Sequence, residues 1–324
     1  MNPRPRAEAA WRKGMDFFRY ALPMSGGGTR KGILVRLDKP DGTVGWGDAA
    51  PLPGWSIETV DAVEAFIKAG KSEDEAPASL VFALESARAA IPKTERHAIP
   101  LNALLDGFPQ EIFERGQAAL AGGCECLKIK TGGLSLDELP FLIGRLSSMA
   151  NGRCRFRIDP NRGWDIDSTL RVAESIKNLP VDYIEEPLCD VSMLPDLIKN
   201  CPVGIALDET LREITPGKLA AYKGAAALVL KPTLMGGLKV CSDFAQAGAS
   251  LGMVPVVSAC YESGVGIQAL GCFALSLPRA AAAGLDTYSR LEQDVLCERL
   301  DLRDFQFRQK TPPLDVDLSK LYPL

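Results

Sequence analysis

The sequence predicts an α/β protein in which a barrel of parallel βα units follows a smaller α+β module. Five short apolar runs, C-L-K-I-K (126–130), F-R-I-D (156–159), D-Y-I-E-E-P (182–187), I-A-L-D-E (205–209) and L-V-L-K-P (228–232), each end on or beside a charged residue. Those residues, Lys130, Asp159, Glu185, Asp208 and Lys231, follow one another at intervals of 23 to 29 residues, the length of one strand, one helix and two loops. Segments between them, such as S-T-L-R-V-A-E-S-I-K-N-L (168–179), carry apolar residues at helical spacing.

In chain order, 31–38 (K-G-I-L-V-R-L-D) reads as a strand, Asp41-Gly42 as a hairpin turn, and 43–47 as the returning strand. Ser56 is placed to cap a helix over 57–68, with Glu58, Thr59 and Asp61 in its first turn. A second helix is expected over 78–90, ending near Ile91-Pro92. Strands followed by helices in residues 1–97 define the α+β module. From 98 to 298 the pattern is βα. Strand one covers 98–105, strands two to six end at the five charged residues, strand seven covers 253–258, and a short eighth lies near 283–285. The count fits (β/α)7β or (β/α)8. A doubly wound sheet is disfavoured, because no G-x-G-x-x-G follows the first strand. Residues 299–324, with P-P-L-D at 312–315, are expected to return to the N-terminal module.

Composition narrows the function classes. The chain has 324 residues, 46% hydrophobic and 24% charged, as in ordinary soluble proteins. A net charge of −4 argues against nucleic acid or an anionic membrane as partner. The first residues carry no apolar h-region, and no apolar run reaches spanning length. The nine cysteines are scattered without a C-x-x-C; those at Cys260, Cys272 and Cys297 read as small buried hydrophobes in a reducing cytoplasm. The one histidine, His97, lies in a polar stretch and reads as a solvated linker side chain. Proton transfer therefore falls to lysine or carboxylate.

In a parallel barrel the C-terminal strand ends converge on one face, where active sites form. Asp159, Glu185 and Asp208 would bring three carboxylates to that face. Oxygen ligands without histidine or thiolate suit Mg²⁺, with Mn²⁺ as substitute; the bland alternative is helix caps or ion pairs. Of Glu185 and Glu186, strand alternation sends one inward, and Glu185 is chosen. Lys128 and Lys130 share parity, with Lys130 nearer the mouth, and Lys231 stands across the site. A dication acidifies the proton α to a bound carboxylate, one lysine can take that proton, and the other can stabilise the resulting anion. Cations nearby would lower the lysine pKa. Structural salt bridges to the carboxylates are the alternative for both lysines.

The motifs K-I-K, D-P-N-R-G-W, I-E-E-P, L-D-E-T-L-R-E, L-K-P-T-L-M-G-G-L, S-A-C-Y-E-S-G-V-G and G-L-D-T, with G-W-G-D-A-A-P-L-P-G-W-S nearer the N-terminus, resemble the enolase superfamily and, within it, the o-succinylbenzoate synthase family. The likeness runs from about residue 30 to 290. It implies a capping domain over a modified TIM barrel, Mg²⁺ on Asp159, Glu185 and Asp208, Lys130 as general acid/base, and Lys231 facing the opposite side of the intermediate. It further implies syn elimination of water from a small carboxylate substrate, 2-succinyl-6-hydroxy-2,4-cyclohexadiene-1-carboxylate, in menaquinone biosynthesis. The runner-up is an N-acylamino acid racemase or dipeptide epimerase; G-L-D-T-Y lacks the second aspartate of a D-x-D that would hold an α-ammonium. A catalytically dead scaffold is disfavoured by the intact set of five charged positions.

Further candidates are Arg157, either a cation beside Lys130 or a buried ion-pair partner, and Asn161, either a substrate or ligand contact or a turn residue. Ser258 to Gly264 and Gly284 to Thr287, with Ser258, Cys260 and Gly284 foremost, are expected to line the substrate pocket. Gly26 to Gly28, with Thr29 and Arg30, read as a mobile loop over the mouth. Gly236 and Gly237 read as a tight turn rather than a phosphate site.

Overall fold

A computed structural model of the chain describes residues 10–90, 96–279, 281–310 and 314–324. Ile91-Pro92 and the prolines at 312–313 lie outside the described residues.

The chain opens with strand β1 (Met15–Pro23), which the sequence reading did not include, antiparallel to β2 (Thr29–Asp38), which pairs in turn with β3 (Val44–Ala49). Helices α1 (Val60–Ala69) and α2 (Ala78–Arg88) cover one face of this sheet. Phe17, Ile33 and Val35 of the sheet are buried with Val63, Phe66, Leu80 and Leu84 of the helices. The contact is close: a Cβ on Gly47 would lie 1.8 Å from the Ala83 carbonyl oxygen, so β3 and α2 meet backbone to backbone.

Thr59, not Ser56, caps α1, its side chain accepting from the Ala62 N–H. Ser56 is already engaged, because its Oγ accepts from the Leu52 N–H and closes the Pro-Leu-Pro-Gly-Trp turn.

Strand one is split. Its first half, β4 (Ala98–Pro100), pairs with β12 (Gln306–Arg308), and its second half, β5 (Ala103–Leu105), begins the parallel sheet. There follow α3 (Pro109–Ala121), β6 (Cys126–Lys130), α4 (Glu138–Ala150), β7 (Arg155–Asp159), α5 (Ile166–Ile176), β8 (Val181–Glu185), α6 (Leu194–Asn200) and β9 (Ile205–Leu207). A 3-10 helix, Pro216–Tyr222, takes the place of the fifth crossover helix. Then come β10 (Ala227–Leu230), α7 (Pro232–Met235), α8 (Leu238–Ser250), β11 (Val254–Val257) and α9 (Gly264–Ser276).

The seven parallel strands lie in the order of the chain, from β5 to β11. Ala283 and Gly284 close the ring: Ala283 bridges Leu101 beside the first strand, and Gly284 bridges Ser258 after the seventh. No α-helix follows this eighth segment before β12, so the architecture is a (β/α)7β barrel with an antiparallel sheet and two helices before it.

Alternation sorts the barrel residues into two sets. Leu127, Ile129, Phe156, Ile158, Ile184, Leu207 and Leu230 pack outward in the large core under the helices. Tyr183, Ala206, Ala227, Val229 and Val256 form a separate cluster, with the parity of the charged strand ends.

The tail divides its contacts. β12 adds to the barrel strand β4, while the last strand, β13 (Tyr322–Pro323), pairs with β1. No helix among the described residues is long and apolar enough to cross a membrane. All nine cysteines are free; Cys260 is buried and Cys272 half-buried, but Cys297 is exposed, contrary to its expected burial. His97 is exposed, outside the barrel mouth.

Candidate active site

Strand geometry brings the five charged side chains together. Lys130 pairs in register with Asp159 across β6 and β7, and its Nζ lies 2.6 Å from Asp159 Oδ2. One layer down, Lys128 Nζ sits between Asp159 Oδ2 at 2.8 Å and Glu185 Oε1 at 2.7 Å. Across the barrel, Lys231 forms a tight ion pair with Asp208. Asp159, Glu185 and Asp208 are buried, while the Lys130 side chain keeps 29% of its surface and Lys231 13%, so both ammoniums reach the mouth.

Burial on its own would lower the pKa of Lys128, yet the charges of Asp159 and Glu185 hold it well above the ordinary lysine value. Burial works on Lys231 in the same way, and the Asp208 charge overrides it, so this lysine is raised, in keeping with the fixed ammonium expected of it. Asp159 is held well below the carboxylate range by Lys128, Lys130 and Lys231, against its own burial. Glu185 is pushed up to about 8 by burial and by the charge of Asp159, with Lys128 opposing.

Glu185 Oε2 is buried without a hydrogen-bond partner, and so is Oε2 of Glu209, the residue that follows Asp208. Among the described residues no three acidic or thiol side chains already stand around one point, because lysine ammoniums lie between the carboxylates. The donor set is nonetheless all oxygen, and an unpartnered buried carboxylate oxygen is what a hard dication satisfies. The residues present fit such an ion.

Above these groups lies a cavity of about 230 Å³, lined by Lys128, Lys130, Asn161, Lys231, Ser258, Cys260 and Gly284 among the expected residues. Asn161 Oδ1 accepts from Lys130 Nζ at 2.6 Å, and its Nδ2 donates to Glu209 Oε1 at 3.3 Å. Arg157 is not brought to the pocket. It lies one strand layer lower, level with Lys128 in register, donating to Asn102 Oδ1 at 3.1 Å and the Ala282 carbonyl at 2.7 Å, with its guanidinium 5.3 Å from the Tyr183 ring centroid. Its Nε lies 3.7 Å from Asp182 Oδ2, so of the two expected roles it is the buried ion-pair partner, and Arg157 fills the barrel floor.

The expected mobile loop is also different. Thr29 and Arg30 belong to β2, and Arg30 is buried. Its guanidinium donates to Pro51 O at 2.7 Å, Tyr261 O at 2.9 Å, Cys260 O at 3.0 Å and, closely, Ala50 O. Gly26 to Gly28 form a hairpin turn held to the barrel where Ser25 N–H donates to Arg290 O at 2.8 Å. Gly236 and Gly237 form the turn between α7 and α8, both at positive φ.

Sequence reasoning did not single out Trp55, Leu52 or Glu209, and it set Glu186 aside in favour of Glu185; Tyr261 lines the pocket within the expected 258–264 segment. Trp55 and Leu52 reach the pocket from the loop after β3, and Lys231 Nζ lies 5.9 Å from the Trp55 ring centroid. Glu209 is pushed up to about 7 by burial and the Asp208 charge. The doubled acids E-E and D-E were a visible signal. Alternation hid it, because both second acids sit past the strand ends, where the chain has already turned.

Barrel, strand-end carboxylates and facing lysines together define a class: residues 111–313 match the enolase C-terminal domain-like family, and the chain belongs to it. Among curated relatives it is 29% identical over 304 residues to the o-succinylbenzoate synthase of Yersinia pseudotuberculosis serotype O:3 (strain YPIII), covering 86% of this chain and 91% of that protein. The o-succinylbenzoate synthase of Yersinia pestis (strain Pestoides F) matches at the same identity and coverage. In fold the chain is similar to the muconate lactonizing enzyme of Pseudomonas fluorescens, with TM-score 0.82 and 20% identity over 94% of this chain and 96% of that one. It is likewise similar to the L-Ala-D/L-Glu epimerase of Bacillus subtilis, with TM-score 0.81 and 19% identity over 93% and 97% of the two chains.

Proposed function

We propose that this protein is a Mg²⁺-dependent dehydratase that converts 2-succinyl-6-hydroxy-2,4-cyclohexadiene-1-carboxylate to 2-succinylbenzoate, a step of menaquinone biosynthesis. The observation that carries the reading is the pair of lysines, Lys130 and Lys231, on opposite walls of one pocket above three buried carboxylates. Relatives 29% identical with the matching name support the choice of reaction within the family.

Asp159, Glu185 and Asp208 would hold the dication, which acidifies the proton α to the substrate carboxylate and offsets the negative charge that now raises Glu185. The unprotonated amine of Lys130 takes that α-proton. The C–O bond to the ring hydroxyl breaks as the ring double bond forms, and the Lys130 ammonium hands the same proton to the departing oxygen. Water leaves, the ring becomes aromatic, and Lys130 returns to its starting state. Asn161 Oδ1 fixes the Lys130 head throughout. Lys231 stays an ammonium, which its pairing with Asp208 and the nearby Trp55 ring both favour.

The alternative is racemisation or epimerisation, with both lysines exchanging protons. Asp286, the acid of G-L-D-T, lines the cavity with one oxygen accepting from the Leu104 N–H at 2.8 Å, and the sequence G-L-D-T-Y supplies no second aspartate beside it to complete a site for a substrate ammonium. The deciding measurement is formation of 2-succinylbenzoate by the purified protein, with and without exhaustive chelation. Product with Mg²⁺ or Mn²⁺ and none after chelation is expected; full turnover after chelation would remove the metal from the mechanism.

A further inference from the structure

Glu186 is fully buried and carries no role in the reaction described above. Its Oε1 accepts from Arg162 Nε at 3.1 Å, Arg162 Nη2 at 2.8 Å, the Thr210 N–H at 3.2 Å and, closely, the Thr210 hydroxyl. Its Oε2 accepts from the Asp208 N–H at 2.8 Å. One carboxylate thus grips the backbone on both sides of Glu209 and anchors the turn that presents Asp208.

The same residue ties the neighbouring strand end. The Arg162 N–H donates to the Glu186 carbonyl and the Glu186 N–H to the Ala206 carbonyl, each at 2.9 Å. Asn161, Arg162 and Glu186 all have left-handed backbones, with φ of 48°, 57° and 38°. Non-glycine residues hold that conformation at a cost of about 1–3 kcal/mol each, and only where their surroundings enforce it. Here the three converge on one guanidinium–carboxylate contact. On one side of it lies Asn161, the partner of Lys130, and on the other Asp208, the partner of Lys231.

We propose that Glu186, locked by Arg162 and Thr210, is a positioning residue that sets the Asp208 carboxylate for the dication and holds the Asn161 turn against Lys130. The inference rests on the metal reading given under Proposed function. A carboxylate is required because both oxygens face donors: in Glu186→Gln the amide NH₂ must point at either the Asp208 N–H or the Arg162–Thr210 donors. Removing outer partners of metal ligands typically costs ten- to a hundredfold in affinity.

The test is Mn²⁺ binding to the full chain, followed by the EPR signal of free Mn²⁺, alongside circular-dichroism melts. Glu186→Gln is expected to keep a native spectrum and to weaken Mn²⁺ binding at least about tenfold. Thr210→Val, which deletes one donor and little volume, is expected to weaken it severalfold and decides the matter if Glu186→Gln does not fold. A merely structural Glu186 would lower the melting temperature and leave the affinity of the folded protein unchanged. Folded Glu186→Gln or Thr210→Val binding Mn²⁺ as wild type does, while Asp208→Asn loses it, would overturn the proposal alone. Asp208→Asn binding as wild type, or wild type failing to bind, would instead overturn the metal reading and this proposal with it.

Discussion

Arg30→Met tests how much one buried side chain contributes to the contact between the N-terminal sheet and the barrel. The substitution keeps the length of the side chain and removes every donor. Four carbonyls, of Ala50, Pro51, Cys260 and Tyr261, lose the guanidinium they now share. A buried acceptor left without its partner costs about 1–3 kcal/mol. Taking the low end for four, and crediting the variant with no longer burying a charge, gives a net loss of about 3 kcal/mol. A chain of 324 residues has an unfolding entropy near 0.7 kcal/mol per kelvin, so the midpoint should fall by about 4 °C. Pro51 adjoins Leu52, and Cys260 and Tyr261 line the cavity, so the same loss loosens the pocket wall. A cost on the order of 1 kcal/mol there lowers kcat/KM about fivefold, mostly through KM. Calorimetry and steady-state kinetics read both effects. Arg30→Lys should fall between, since an ammonium cannot span four acceptors as a planar fork does. A midpoint within about 1 °C of wild type, with unchanged KM, would refute the reasoning.

Three further outcomes are expected. Lys130→Ala should lose at least about a hundredfold in turnover yet keep its circular-dichroism spectrum, because Asp159 retains Lys128 at 2.8 Å; a smaller loss would place the acid/base elsewhere. Lys231→Arg should retain some dehydration but no racemisation of an N-succinylamino acid, since arginine does not give up its proton; equal loss of both in a folded, metal-binding variant argues against a single base. Asp48 is buried beside Tyr20, Ser263 and Glu262, and its carboxyl is pushed up to about 6, first by burial and then by the Glu262 charge, against the Ser263 hydrogen bonds. Its folded pKa lies above the unfolded one, so its contribution is full below about pH 4 and is lost as the pH rises through 6, about 3 kcal/mol in all. Urea unfolding should therefore show the stability of wild type relative to Asp48→Asn shrinking between pH 4.5 and 7.5, and a growing difference would contradict it.

Much of the barrel was legible because strand alternation and βα spacing are strictly local signals. Lys128, Lys130, Asp159 and Glu185 lie within their strands, and Asp208 and Lys231 immediately follow theirs, so parity alone sent them inward. The partners of an inward side chain were not local. Arg157 has the parity of Asp159 and shares a layer with Lys128, which does line the cavity, but its guanidinium is taken up by Asn102 and the Ala282 carbonyl, partners brought in by the barrel as a whole. Glu186 and Glu209 escaped because they sit past the strand ends, where alternation no longer applies. β1 was missed because Met15–Pro23 mixes buried and half-exposed positions without a clean period, and one of its two partners, β13, lies at the far end of the chain.

The Arg157 floor makes the barrel a vessel with one opening. Asn102, Arg157 and Tyr183 close the lower end, so everything that enters the cavity must return the way it came. A ring bearing a four-carbon acid, bound in this cavity, would displace water from around the lysines. On the proposed mechanism, a hydrogen lifted by Lys130 would then meet the bound ligand more often than solvent. Substrate recovered early from D₂O should carry little label, and the water made by elimination stays behind the product until the product moves out of its path.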